Sequence, residues 1–443
     1  MRRSLLFTSL MALCLVNCAG AQDTETTVER PATPSTAPTT PVASTLPANE
    51  FLLREGEILL TGKVTGVTVA RAAISIFADS FMVPNGNSKV IDPPRPKSIT
   101  LSDPALVFSP PGANAQTTQS FPLAVLRRGD DIAVIGREGG QSFAARLIYF
   151  RASLPGLLQE RTKAGFKTKL IENNYQPGGP VAAAEGFEIV RYPSPAGELA
   201  AYLSPDPGEG KKHPAVLWAH GGFNGIAPAT AEQAKPFIEA GCVVMCPSWR
   251  GENDNPGKFE LFGGEIEDAV AALNYLAQLP YVDASRLYMA GHGTGGTITL
   301  LTAASTPLLR GAFSMGGAPD IANVLRNGGY EHIPFDKASD AEVKFRSPVN
   351  WVNLIRAPLW YFEGAKSFYV TDAKWMEASA QRQGVALRAY IIERNDHSTI
   401  VNPLVKAIAQ KIQNDTGPTV NIAFSVDELK DLFPPETPIG VTK

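Results

Sequence analysis

The rhythm of apolar positions changes near residue 186. Beyond it, short apolar runs alternate with longer stretches of helical spacing. Pro214–Ala219, Cys242–Cys246, Leu287–Ala290, Ala312–Met315, Leu359–Phe362 and Ala389–Ile392 read as strands, several apolar throughout as strands buried on both faces are. Between them, Ala229–Ala240, Glu265–Gln278, Thr297–Ala304, Ala373–Gln383 and Asn402–Gln413 place apolar residues along one helix face. Phe187–Arg191 and Leu199–Leu203 read as an edge hairpin in front of this series. The alternation predicts a mostly parallel, doubly wound sheet with helices on both sides.

Residues 51–152 have a different pattern. Strand-like runs at Glu57–Leu60, Gly62–Val69, Ala73–Phe77 and Ser98–Leu101 are followed by Asp131–Gly136, a turn at Glu138-Gly139-Gly140, and Ser142–Phe150. Two alternating runs about such a turn predict a β-hairpin. A small all-β barrel or sandwich follows, and its end resembles the closing hairpin of an OB-like barrel. Phe51, Phe77, Phe81, Phe108 and Phe121 have no cluster of Lys or Arg beside them, so these rings suit a core better than a nucleic-acid face. Residues 153–185 read as a connector, 186–414 as the α/β domain, and 415–443 as a tail without an assignable role.

The first residues add a destination. Met1-Arg2-Arg3-Ser4 precedes an uncharged run from Leu5 to Val16, a basic start and an apolar stretch too short to span a bilayer. Residues 1–21 are therefore expected to be a signal peptide. Leu15-Val16-Asn17-Cys18 resembles a bacterial lipobox, with Cys18 as the lipidated residue, although Asn17 is atypical there. Cleavage after Ala19-Gly20-Ala21 is the alternative, giving a soluble periplasmic or secreted protein. The Thr-, Pro- and Ala-rich stretch 22–50 fits a tether. The net charge of −3 becomes more negative once Arg2 and Arg3 leave, and offers no basic field for nucleic acid. Of four cysteines, Cys242 and Cys246 lie outside the leader. On one strand they would be about 13 Å apart, too far for a disulfide.

The chemistry centres on Gly291-His292-Gly293-Thr294-Gly295-Gly296, between a predicted strand and a predicted helix. His220-Gly221-Gly222 ends an earlier strand, and Pro247-Ser248-Trp249-Arg250-Gly251 follows the next. With the order of elements, these signatures resemble the α/β-hydrolase fold in its prolyl-oligopeptidase and dienelactone-hydrolase branch. That resemblance implies a nucleophile elbow at residues 291–295 and oxyanion-hole amides around Gly221, Gly222 and Thr294.

Carried over position by position, the resemblance implies a triad with gaps. Gly293 stands at the nucleophile position and has no side chain to form an acyl-enzyme. His397 stands at the base position. The acid position falls at Ser367, with Asp372 and Asp320 as alternative acids. Thr294 is a poor replacement nucleophile, since its hydroxyl should lie over the helix start. With Ser367 as the acid position, Gly293→Ser alone is expected to fail as a hydrolase. The five histidines show no metal-ligand spacing, and no cofactor motif is present. The expectation is a non-catalytic pseudoenzyme at the cell envelope, lipid-anchored in the membrane, that binds or scaffolds an unidentified small-molecule, peptide or protein ligand. The alternative is an esterase or peptidase with an unrecognised nucleophile.

Overall fold

The computed structural model describes residues 51–434 apart from 69–70, 85, 102–105, 109–119, 140–141, 152–153, 173, 209 and 418. The stretches expected to be a signal peptide and a tether, with Cys18, and the last residues of the tail lie outside the described residues. No helix among the described residues is long and apolar enough to cross a membrane.

The first sheet contains β1 (Ile58–Thr68), β2 (Ala73–Met82), β3 (Ser88–Leu101), β4 (Leu106–Phe108), β5 (Ser120–Pro122), β6 (Asp131–Gly139) and β7 (Ser142–Phe150). Its order is β3-β2-β1-β6-β7-β4-β5, and parallel pairing of β3 with β7 closes it into a small barrel. The apolar residues Leu60, Val64, Ile76, Ile99, Ile132, Val134, Phe143 and Ile148 are buried. The two runs expected at Glu57–Leu60 and Gly62–Val69 form one strand, interrupted by a register shift at Thr61/Gly62. β3 extends well before Ser98, through Pro93, Pro94 and Pro96. It pairs with β2 over most of its length and with β7 only at Ile99–Leu101. Prolines are tolerated where a strand edge needs no second set of donors.

After α1 (Leu157–Lys163) come β8 (Glu188–Ser194), β9 (Gly197–Leu203), β10 (His213–Ala219), α2 (Pro228–Glu239), β11 (Val243–Pro247), α3 (Glu265–Gln278) and β12 (Val282–His292). Then follow α4 (Thr294–Ala303), β13 (Gly311–Met315), α5 (Ile321–Arg326), α6 (Asp340–Arg346), β14 (Leu359–Gly364), α7 (Val370–Arg382), β15 (Leu387–Ile392), α8 (Val401–Asn414) and α9 (Val426–Leu432). The eight-stranded sheet has the order β15-β14-β13-β12-β10-β11-β9-β8. It is parallel from β11 through β15, with the β8–β9 hairpin antiparallel at one edge. Every residue of β10, β11, β13 and β14 is buried. Each large apolar side chain so buried contributes about 1.5–3 kcal/mol. Cys242 and Cys246 are free and buried, and burial pushes both thiols well up.

The segment after residue 414 is not a loose tail. Asp415 is buried and paired with Arg310 at 2.7 Å, and it accepts from the Tyr288 hydroxyl at 2.6 Å. Phe424 packs edge-on against Trp360 and Phe362. Ser425 and Glu428 form a capping box that starts α9. Composition alone hid this, because single aromatic and acidic anchors carry the docking.

A buried charge network braces the loop before α3. Arg161 of α1 donates to the carbonyls of Phe262 and Gly263, and Arg346 of α6 donates to that of Leu261. Leu261 and Phe262 both have positive φ, 52° and 66°. Beside them Glu265 is buried, and its Oε1 accepts from the Glu260 amide at 2.6 Å. Burial, then the neighbouring Glu260 carboxylate, pushes the Glu265 carboxyl up to about 8. A carboxyl raised in the fold holds its proton where the unfolded chain has lost it. The stability it contributes is full below the ordinary carboxyl range and is lost as pH rises towards 8. Between pH 6.5 and 8 the expected loss is on the order of 2 kcal/mol. Glu265→Gln should flatten that limb of a melting-temperature against pH curve. An unchanged slope in the variant would rule out Glu265 as its source.

Candidate active site

The fold brings the strand ends and their loops together over Gly293. β12 ends at His292, Gly293 has φ 56° and ψ −116°, and α4 begins at Thr294. An L-residue is strained in that conformation and glycine is not. The Gly293 amide donates to the Met315 carbonyl at 2.9 Å, and its carbonyl accepts from the Thr297 amide at 3.0 Å. Close packing dictates Gly295, where a Cβ would lie 2.0 Å from the Ala219 carbonyl oxygen. Gly293 is different. A Cβ there would meet only His397 Nε2, at 3.3 Å. A side chain at this position would press on the histidine ring, which has to give by a few tenths of an ångström, and would meet no other neighbour.

His397 lies in the loop between β15 and α8. Its Nδ1 faces Glu363 Oε1 at 3.6 Å, a charge-pair distance longer than a hydrogen bond. Glu363 is buried at the end of β14, where Oε2 accepts from the Tyr361 hydroxyl at 3.2 Å and Oε1 from the Gly364 amide at 3.0 Å. The carboxylate facing the histidine is thus Glu363. Ser367, expected at the acid position, and the alternatives Asp372 and Asp320 have other contacts. Ser367 Oγ accepts from the Tyr369 amide, Asp372 accepts from Asn323, and Asp320 caps α5 by accepting from the Ala322 amide. The carboxylate beside the histidine comes from the strand itself, four residues before Ser367. A carboxylate ending an otherwise apolar strand was its one sequence signal.

The imidazole is held on several sides. Gly316, at φ 66°, leaves it room, since a Cβ there would lie 2.5 Å from His397 Cε1 and Nδ1. The Tyr369 ring meets it edge-on at 5.9 Å, and His292 Nε2 is 3.1 Å from the His397 carbonyl oxygen. Burial, then the nearby His397, pulls His292 down to about 4. The neutral His292 ring therefore donates to that carbonyl and fixes the loop. Asp396 caps the same loop by accepting from the Ser398 and Thr399 amides.

Opposite the histidine, Gly221 and Gly222 follow β10. The Thr294 hydroxyl donates to the Gly222 carbonyl at 2.7 Å, which joins this turn to the elbow and occupies the hydroxyl proton. His220 is buried against Glu252 at 3.1 Å. Burial opposes its charge, but the Glu252 carboxylate outweighs burial and holds the imidazole above its ordinary range. Arg250 makes a two-pronged contact with Asp268, at 2.9 and 2.8 Å, and belongs to the framework. The opening above Gly293 has a volume of about 390 Å³ and is bounded by Phe223, Gln233, Tyr330 and Tyr369. Among the described residues no group of three or more His, Cys, Asp or Glu is placed to hold a metal ion.

Comparison with known proteins finds similarity to several hydrolases and peptidases. Residues 228–403, which include Gly293, Glu363 and His397, match the model of the prolyl oligopeptidase family. The chain is 26% identical over 203 residues to the uncharacterized peptidase YtmA of Bacillus subtilis strain 168, covering 40% of this chain and 77% of that protein. Among solved structures, a puromycin-hydrolyzing peptidase of Mycobacterium tuberculosis is similar with a TM-score of 0.46 and 17% identity, over 65% of this chain and 45% of that one. An esterase of Pyrobaculum calidifontis is similar with a TM-score of 0.41 and 18% identity, over 52% of this chain and 86% of that one. The chain has an α/β-hydrolase fold preceded by a small all-β barrel.

Proposed function

We propose that this protein is an envelope-associated binding protein on an α/β-hydrolase frame, whose cleft holds an acyl-type ligand without forming an acyl-enzyme. The observation that carries the reading is Gly293 at the tip of a preserved elbow, with His397 aimed at the place a nucleophile would occupy. Covalent catalysis needs a side-chain atom at that point, and glycine has none. Binding needs only the cleft, the amides around Gly222 and Thr294, and the aromatic walls. No observation favours a substitute nucleophile, because the Thr294 hydroxyl is engaged with Gly222.

The test uses the full-length mature protein. A fluorophosphonate probe should leave it unlabelled, while butyranilide, a non-activated amide, should raise its melting temperature saturably. Stoichiometric labelling of any residue in the cleft would overturn the reading in favour of a covalent hydrolase. The envelope assignment rests on Cys18 and the stretch after it. Cys18→Ser should release the protein from the membrane fraction or block its processing. An unmodified N-terminus at Gln22 would instead support a soluble protein.

A further inference from the structure

The geometry points to a residual activity in this cleft: one-step hydrolysis of activated esters by a water molecule occupying the place of a seryl hydroxyl, with His397 as general base. This inference rests on the reading of the cleft as an acyl-ligand site, and adds chemistry to it.

Three features converge on that place. A Cβ on Gly293 would lie 3.3 Å from His397 Nε2, with no other atom beyond its own chain neighbours within 4 Å. The space a hydroxymethyl group would fill is about the size of one water, roughly 30 Å³. The second feature is the imidazole's orientation. Nδ1 faces the buried Glu363 carboxylate, which favours the tautomer with its proton on Nδ1 and its lone pair on Nε2, directed to the cleft. The histidine side chain is 36% exposed, so it is reachable from the cleft. Third, Thr294 opens α4 and its amide has no intrahelical acceptor. Thr294, and the glycine turn tied to its hydroxyl at Gly222, border the same space. A water here has the polar neighbours that an ordered water requires.

The step balances without a co-reactant. The water oxygen attacks the ester carbonyl carbon while one water proton passes to His397 Nε2. The carbonyl electron pair moves to its oxygen, which faces the Thr294 amide. Collapse of this tetrahedral species breaks the bond to the leaving oxygen, and the proton on Nε2 returns to that oxygen or to solvent. One ester and one water give one carboxylic acid and one alcohol, and no bond to the protein forms. The substrate class follows. A water that is not covalently tethered loses much of the proximity advantage of a serine, so esters with good leaving groups are turned over and amides are only bound.

The experiment measures p-nitrophenyl butyrate hydrolysis by the full-length mature protein. The expected result is linear product release with no burst, no acyl adduct in the intact mass, and no inhibition by a fluorophosphonate. His397→Gln should lower the rate about 100-fold, within the usual range for a general base. Glu363→Gln should lower kcat more than it changes KM, as expected of a residue that positions the base. Gly293→Ala should also stop turnover, because its methyl group takes the water's place. If that variant is poorly folded, the His397→Gln and Glu363→Gln results decide. A burst, an acyl adduct, or an unchanged rate in His397→Gln overturns the water route. Butyranilide binding without His397-dependent turnover overturns it too, but leaves the binding reading intact. Loss of both binding and turnover defeats both.

Discussion

Gly293→Ser should turn this protein into a serine hydrolase that forms an acyl-enzyme. The backbone at residue 293 already has the elbow conformation, with φ 56° and ψ −116°. A Cβ built there points at His397 Nε2 from 3.3 Å, so an added hydroxyl lies within reach of the base. His397 in turn faces the buried Glu363 carboxylate. The variant should be labelled stoichiometrically by a fluorophosphonate and show an ester burst. Its turnover of p-nitrophenyl butyrate should exceed that of the parent protein by about 10³-fold, as expected when a complete nucleophile–base–acid set replaces a partial one. Serine must adopt a backbone conformation that glycine holds freely, at a cost of about 1–3 kcal/mol. Denaturant unfolding should therefore show a less stable but more active protein. Adding Glu363→Gln should remove most of the gain, whereas adding Ser367→Asp should bring little. A Gly293→Ser protein that is folded, unlabelled and no faster than its parent would falsify the assignment of this triad geometry.

That expectation reverses the one drawn from the amino-acid pattern, and the reversal lies in a single residue. The elbow, the glycine turn after β10 and His397 were legible because each sits in a loop flanked by strongly patterned strands and helices. Glycine-rich turns also announce themselves in sequence. Glu363 was not legible as the acid because it lies inside β14, next to Phe362, and not in the loop beyond Gly364. Spacing from a glycine identifies a loop position, but which side chain reaches His397 depends on where the strand ends. Gly316 was hidden for a related reason. Its role is to leave room for a ring that arrives from residue 397, and only the folded chain brings them together. In the barrel, only Ser98–Leu101 of β3 stood out as a strand, and the part before it carries Pro93, Pro94 and Pro96, which lack the donor a strand normally offers. The packing of residues after 414 depends on Asp415 meeting Arg310 and Phe424 meeting Trp360. No local periodicity encodes either contact.

Arg346→Met should produce one of the largest losses of stability available outside the apolar core. Arg346 is fully buried. Its guanidinium donates to the Leu261 carbonyl at 2.7 Å, the Glu342 carbonyl at 2.9 Å and Thr168 at 2.9 Å, and pairs with the Glu342 carboxylate. It also stacks on the Phe335 ring at 3.9 Å. Burial pulls the guanidinium pKa down, but the facing Glu342 carboxylate opposes that shift. Methionine preserves much of the volume, yet it leaves the buried Glu342 carboxylate without its cationic partner, with only the Lys169 amide to accept from among the described residues, and removes a donor from the carbonyls. Breaking a buried pair from one side costs about 3–5 kcal/mol. The effect should extend to the cleft. The carbonyls that Arg346 and Arg161 hold belong to the positive-φ pair Leu261–Phe262. The Phe262 ring packs against Tyr330 at 5.7 Å and Phe223 at 6.0 Å, two walls of the cleft. Urea unfolding should show the stability loss, and butyranilide binding should weaken even where the variant is still folded. Arg388, 67% exposed and 3.8 Å from Glu377, provides the control, because Arg388→Met should cost less than about 1 kcal/mol. If Arg346→Met costs no more than Arg388→Met, the buried arginines do not brace this wall, and the positive-φ pair must be held by its own packing against the aromatic cluster.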